Sequence, residues 1–104
     1  MVDEEAQQWG AFFATWYEEL GEQPVTVAEV AGSCEAITRI KEALPESLPY
    51  TSEEGSAFRK KLGNALRKRR DRIYGEYKLE QAKPDSHAKV ARWCVKHVAG
   101  SAGS

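Results

Sequence analysis

The sequence has few of the features that mark membrane insertion, secretion or catalysis. It contains no run of about 18 apolar residues, and its first residues are acidic where a signal peptide would be basic. Cys34 and Cys94 lie far apart without a C-x-x-C motif, so we expect two reduced thiols and neither a disulfide framework nor a zinc site. No GxxxxGK[ST] loop or nucleophile-elbow context occurs. We therefore expect a cytoplasmic, non-membrane protein that is not an enzyme and uses no metal or cofactor.

Charge is divided unevenly along the chain, although the net charge of the 104 residues is only −1. Residues 1–54 hold twelve acids and two bases, whereas residues 55–104 hold thirteen bases and four acids. Such asymmetry is typical of a protein with one surface for a polyanion. A chain of this length has room for one core. We expect one domain over residues 4–98 and a flexible Gly/Ser tail over residues 99–104.

The first half of the chain predicts helices. Apolar residues recur at three- and four-residue spacing from Glu4 to Leu20, which predicts a helix with an aromatic core face. Val25 reads as a short extended stretch, and Thr26-Val27-Ala28-Glu29 matches a capping box that begins a second helix. Helical spacing continues to Leu44, with Gly32-Ser33 as a candidate break. Whether this region forms one kinked helix or two is left open.

The most informative segment is a basic amphipathic helix predicted over about residues 52–70. It follows a second capping-box pattern at Thr51-Ser52-Glu53-Glu54. Its apolar residues lie on one narrow face, and eight bases occur in the fourteen residues from Arg59 to Arg72. Arg69 projects back toward the apolar face. The outer surface of this helix is therefore expected to be cationic.

A hairpin is predicted after Asp71, where the hydrophobic period changes to two. In the first strand, Ile73, Gly75, Tyr77 and Leu79 are expected to share one face. Lys83-Pro84-Asp85-Ser86 supplies turn chemistry, and a second strand follows within residues 87–98. Trp93 on this strand is interpreted as a core residue.

The order helix, short strand, helix, basic helix and hairpin is that of the winged helix. This α+β fold is a helix-turn-helix with a C-terminal β-hairpin wing, here expected with three to four helices and two to three short strands. The basic helix would lie in the DNA major groove, and the wing would contact the adjacent minor groove or backbone. The helix with the cationic face is also the one that this order assigns to recognition.

Site residues follow from the helical projection. Lys60, Asn64 and Arg67 lie at the centre of the outer face, where asparagine can pair with adenine and lysine or arginine with guanine. The flanking cations are expected to contact phosphates and to position the protein without reading sequence. The complete predicted DNA-binding set is Ser56, Arg59, Lys60, Lys61, Asn64, Arg67, Lys68, Arg70, Arg72, Lys83, His87 and Lys89.

Four parts of the sequence resemble a known family: Trp16, Pro24 to Val30, Leu62 to Arg67, and Tyr74 to Leu79. They resemble winged-helix modules at the C-terminus of primase-helicase and related replication proteins of phages, plasmids and integrated mobile elements. The resemblance covers roughly residues 9–96. It implies a role in replication or transcription regulation of a mobile element, with double-stranded DNA or a larger replication protein or helicase/primase domain as partner. It does not imply enzymatic activity, because no ATPase or primase segment is attached.

Other interpretations stay open at this point. The domain could instead be a protein-protein interaction winged helix that docks a replication or transcription partner. It could bind RNA or single strands through aromatic residues of the hairpin. The run of basic residues could also be no more than a solvated helix face. The acidic half of the chain could repel DNA, or its carboxylates could pair with the basic side chains of the same molecule.

Overall fold

The computed structural model describes residues 4–50, 55–83 and 90–98. These residues form an α+β fold of four helices and a four-stranded antiparallel sheet with strand order β1-β4-β3-β2. The helices are α1 (Glu4–Leu20), α2 (Val27–Ala36), α3 (Thr38–Glu42) and α4 (Gly55–Lys68), and the strands are β1 (Val25–Thr26), β2 (Ile73–Tyr74), β3 (Tyr77–Ala82) and β4 (Arg92–His97). Within this part of the chain, no helix is long and apolar enough to cross a membrane.

Helix α1 supplies the centre of the core. Trp9, Phe12, Phe13 and Trp16 are buried at its inner face, and their ring centroids lie 5.6 to 6.1 Å apart. The helix packs on α3 and on strands β2, β3 and β4. The predicted helix and its aromatic face are confirmed, because long amphipathic periodicity is a strong local signal.

The start of α2 is also as predicted. The Thr26 hydroxyl accepts a hydrogen bond from the Glu29 amide at 3.1 Å, and the Glu29 carboxylate accepts one from the Thr26 amide at 2.9 Å. Thr26 also belongs to β1, which pairs with β4. The capping box therefore fixes the chain at the point where it leaves the sheet for the helix.

The break predicted at Gly32-Ser33 is wrong. Helix α2 continues to Ala36, and the change of direction falls at Ile37, whose φ of −119° and ψ of 104° are extended. The Ser33 hydroxyl donates to the Val30 carbonyl oxygen at 2.6 Å, so this polar side chain is satisfied within the helix. Burial of Val30 and Cys34 on the inner face outweighs the weak helix propensity of glycine. Residues 26–44 consequently contain two helices.

The first predicted hairpin strand is divided in the structure, which gives four strands where two to three were expected. Tyr74 pairs with Tyr77 across a tight turn, and Gly75 at this turn has a φ of +65°. Because the chain turns at Gly75, the side chain that lies on the same face of the sheet as Tyr77 is that of Tyr74 and not that of Ile73. Ile73 is 53% exposed, whereas the Tyr74 ring packs on Phe13 with centroids 5.7 Å apart. Because Leu79 is buried while Ile73 is exposed, the prediction that these two residues share one face is wrong.

Gly21 and Gly32 differ in backbone conformation, and their replacement by alanine tests this difference. A Cβ at either position would meet nothing within 4 Å, but Gly21 has a φ of +74° while Gly32 lies inside α2. We expect Gly32→Ala to raise the free energy of unfolding by about 0.5 to 1 kcal/mol. Gly21→Ala should lower it by about 1 kcal/mol, because a left-handed conformation disfavours a side chain. Urea unfolding of both variants checks this, and shifts in the same direction would contradict it.

Candidate nucleic-acid interface

Helix α4 has one buried and one exposed face, as its sequence predicts. Phe58, Leu62 and Leu66 are buried in the core. Gly63 is also buried, and a Cβ there would lie 3.7 Å from a Val27 methyl, so α2 and α4 pack closely at this point. The predicted site residues on this helix are all exposed: Ser56, Arg59, Lys60, Lys61, Asn64, Arg67 and Lys68. The apolar face thus fixes which side of the helix is presented to solvent.

The positive charges on this exposed face are not balanced by nearby acidic side chains of the described residues. Among the described residues, no carboxylate forms an ion pair with Arg59, Lys60, Lys61, Arg67 or Lys68. The interpretation that the acidic half pairs with the whole basic helix is therefore not supported by the described contacts. The outer face of α4 is therefore a positive surface that no carboxylate of residues 4–50, 55–83 or 90–98 neutralises by an ion pair, which favours anion binding.

Asn64 and Arg67 interact with each other on this face. The Arg67 Nη2 donates a hydrogen bond to the Asn64 Oδ1. A Cβ added to Gly63 would lie 3.9 Å from the Arg67 Nη1, so the guanidinium lies back along the helix beside the close contact with α2. These two residues, predicted separately to read bases, form one unit.

Arg69 lies outside the exposed site, in agreement with its predicted direction toward the core. Its Cζ lies 4.1 Å from the centroid of the Trp9 ring, and its side chain is only 14% exposed. The Arg69 Nη1 donates to the Ala65 carbonyl oxygen at 3.2 Å, and Nη2 lies 3.3 Å from the Glu5 carboxylate. This arginine fastens the end of α4 to α1 through a cation-π contact and an ion pair.

The end of α4 is connected directly to the hairpin. Arg70 Nη1 donates to the Gln81 Oε1 at 3.1 Å, and the Asp71 amide donates to the Leu79 carbonyl oxygen at 2.7 Å. Asp71 has a φ of +64°, a left-handed conformation that aspartate tolerates better than most residues. The exposed cations Arg70 and Arg72 are thereby held between the basic helix and the sheet.

The hairpin of β3 and β4 brings one further predicted cation, Lys83, to the end of β3. Lys83 is exposed, and its carbonyl oxygen accepts a hydrogen bond at 3.0 Å from the Nε of Arg92. Gln81 and Arg92 support the predicted site but were not predicted, because their roles depend on how the hairpin lies beside α4. His87 and Lys89, the turn from Pro84, the capping box at 51–54 and the tail at 99–104 lie outside the described residues.

Most acids whose contacts are described pair with cations outside the predicted site; the exception is Asp71, whose carboxylate lies 3.9 Å from the Nε of Arg70. Arg39 lies 2.7 Å from a Glu18 carboxylate oxygen and 2.8 Å from one of Glu19. The hydrogen bond to Glu18, together with the charges of both acids, raises the pKa of Arg39. Glu80 lies 3.5 Å from Lys78 and 3.4 Å from Lys96, so Lys78 is partly neutralised on the sheet. The acidic and basic surfaces are therefore largely separate.

The described part of the chain offers little support for a reactive thiol, a metal site or aromatic stacking on nucleobases. Both cysteines are free and buried, and burial raises the pKa of Cys34 to about 11, so its thiol is protonated at neutral pH. The described residues contain no group of His, Cys, Asp and Glu suited to a metal ion. Trp93 is buried, and the half-buried Tyr77 packs on Tyr17 at 5.5 Å, so neither ring is presented as an open stacking platform.

Comparison with known proteins gives no relative: no family model, curated protein or solved structure matches this chain. The resemblance to replication proteins of mobile elements therefore stays a prediction. Any functional conclusion rests on the arrangement of the residues themselves.

Proposed function

We propose that this domain is a winged helix that binds double-stranded DNA, with α4 in the major groove and the β3-β4 hairpin as its wing. The observation that carries the proposal is the exposed cationic face of α4, which forms no ion pair with a carboxylate of the described residues. A helix about 10 to 12 Å across fits the major groove, which is about 12 Å wide. The sheet order supports the proposal, since β1 pairs with β4 and β4 forms the hairpin with β3.

The proposed contacts divide into two kinds. Lys60, Asn64 and Arg67 at the centre of the outer face read base edges. The cations around them bind phosphates, which orients the helix without sequence information. In this proposal the phosphate-binding group comprises Ser56, Arg59, Lys61, Lys68, Arg70, Arg72, Lys83, His87 and Lys89.

The proposed setting is the cytoplasm, in replication or transcription control of a mobile element. It rests on the sequence resemblance together with an α+β architecture compatible with a winged helix. A larger replication protein or a helicase/primase domain is the second proposed partner, because such modules resemble this chain. No catalytic role is proposed for the domain.

Salt dependence tests the proposal. If about six phosphates are neutralised, affinity for random duplex DNA should fall about a thousand-fold between 50 and 200 mM salt. Fluorescence anisotropy with a labelled duplex of about 20 base pairs measures this change. A single-stranded oligonucleotide of the same sequence serves as the comparison and should bind more weakly.

The alternative of a protein-interaction module predicts a different titration. Duplex affinity would then be feeble at 150 mM salt and would change less than ten-fold over the same range. That result would contradict the proposal, and tighter binding of the single strand would favour the hairpin as the nucleic-acid surface.

A further inference from the structure

The outer face of α4 consists almost entirely of hydrogen-bond donors. Lysine and arginine side chains donate and cannot accept, so the acceptors on this face are the Ser56 hydroxyl and the Asn64 amide oxygen. Ser56 lies in the first turn of the helix, about two turns before Asn64. At the centre of the face, the Asn64 oxygen is therefore the acceptor that decides which base edges can be matched.

That acceptor is already engaged. The Arg67 Nη2 donates to the Asn64 Oδ1 and takes one of the two lone pairs of that oxygen, so an adenine amino group would have to share the oxygen with a guanidinium donor. The Asn64 Nδ2 and the remaining N–H groups of Arg67 are left to donate. A bidentate contact to adenine needs Oδ1 to accept from the adenine N6 while Nδ2 donates to N7. The side-chain pair instead offers donors in neighbouring positions, with Lys60 one helical turn away adding more.

Guanine is the base whose major-groove edge matches this surface. It presents two acceptors, N7 and O6, whereas adenine and cytosine each present an amino donor. We propose that Asn64 and Arg67 act as one donor unit that selects guanine, and that Asn64 does not read adenine. This inference rests on the proposed DNA binding and adds to it the identity of the base.

The interaction between Asn64 and Arg67 also fixes the position of the Arg67 guanidinium. The hydrogen bond to Asn64 holds the Arg67 guanidinium close to Gly63, where a Cβ would lie 3.9 Å from Nη1. A guanidinium held in one place loses less side-chain freedom when it forms two parallel hydrogen bonds. Lysine at position 67 would keep the charge and lose the fork.

The experiment begins with selection of binding sites by the full chain from a duplex library with a randomised central segment. The expected result is enrichment of guanine, by about ten-fold over adenine, at one or more positions. The selected duplex is then remade with 7-deazaguanine, which lacks the N7 acceptor, or with inosine, which lacks only the minor-groove amino group. We expect the first to weaken binding about ten-fold and the second to leave it nearly unchanged.

Two variants assign the preference to the side chains. Arg67→Lys keeps the positive charge but loses the planar pair of donors, so the ratio of its affinities for the guanine and adenine duplexes should fall to nearly one. Asn64→Ala should reduce the preference at the same base position. Circular dichroism melting checks that these exposed substitutions leave the fold intact.

The outcomes separate this inference from the proposed function. Tight, salt-dependent binding with no base preference, or with an adenine preference that Asn64→Ala removes, would overturn the inference and leave DNA binding standing. A guanine preference unchanged in both variants would also overturn it. Failure of the parent chain to bind any duplex would refute the proposed function and the inference together. The anisotropy titration with random duplex DNA would already show this failure.

Discussion

Reversal of charge at the centre of α4, in the double variant K60E/R67E, is expected to lower affinity for duplex DNA by about a hundred- to a thousand-fold. Lys60 and Arg67 lie about 10.5 Å apart along the helix, two turns from each other, and both are exposed. The change removes two favourable contacts, each worth about 1 to 3 kcal/mol at a base edge, and brings two carboxylates near the phosphates. Anisotropy at 100 mM salt measures the loss.

A control with the same change in net charge distinguishes a local contact from the overall field of the protein. Lys41 lies on α3, and Lys96 pairs with Lys78 at the end of the hairpin away from the proposed wing contact Lys83. Both are exposed and belong to none of the proposed contacts, so K41E/K96E is the matched variant. We expect it to weaken binding by less than about ten-fold, because neither side chain belongs to the proposed contacts and salt screens charges that act only at a distance. Equal losses in the two double variants would argue against α4 as the recognition helix.

Stability of the double variant gives a second control. Neither Lys60 nor Arg67 forms an ion pair with a described carboxylate, and exposed substitutions usually change stability by less than about 0.5 kcal/mol. The thermal transition should therefore move little. Loss of DNA binding with an unchanged transition would locate the effect at the surface of α4.

The parts of the fold that could be predicted from sequence are those fixed by local chemistry. The aromatic stripe of α1 and the Thr26-Glu29 cap depend on residues a few positions apart, and both are confirmed. The basic outer face of α4 follows in the same way from helical periodicity. These signals are contained within one element, so a single sequence is enough to reveal them.

The parts that were missed depend on tertiary contacts or on one backbone conformation. The β2-β3 turn is a two-residue Gly-x connection. The glycine at position 75, whose φ is positive, is the available sequence signal for this turn. The hydrogen bonds of Arg70 with Gln81 and of Arg92 with the Lys83 carbonyl require the hairpin to lie beside the end of α4. Helical projection also places Asn64 and Arg67 correctly without showing that they bind each other.

Truncation of the aromatic core should have the largest effect on stability. Trp16 is fully buried against Phe12 and Phe13, with centroids 5.8 and 6.1 Å away, so Trp16→Ala leaves a large cavity and should cost about 3 to 5 kcal/mol. Small domains have about 5 to 15 kcal/mol in total, so the midpoint of thermal unfolding should fall by about 15 °C or more.

The conservative variant separates lost packing from lost hydrogen bonding. The Trp16 indole N–H is buried and has no hydrogen-bond partner among the residues that the structure describes, so Trp16→Phe removes an unpaired donor as well as some volume. We expect it to cost less than half as much as Trp16→Ala. Gln7→Ala, an exposed change on the same helix, should shift stability by less than about 0.5 kcal/mol. A loss below about 1 kcal/mol for Trp16→Ala would contradict the central place of α1 in the core.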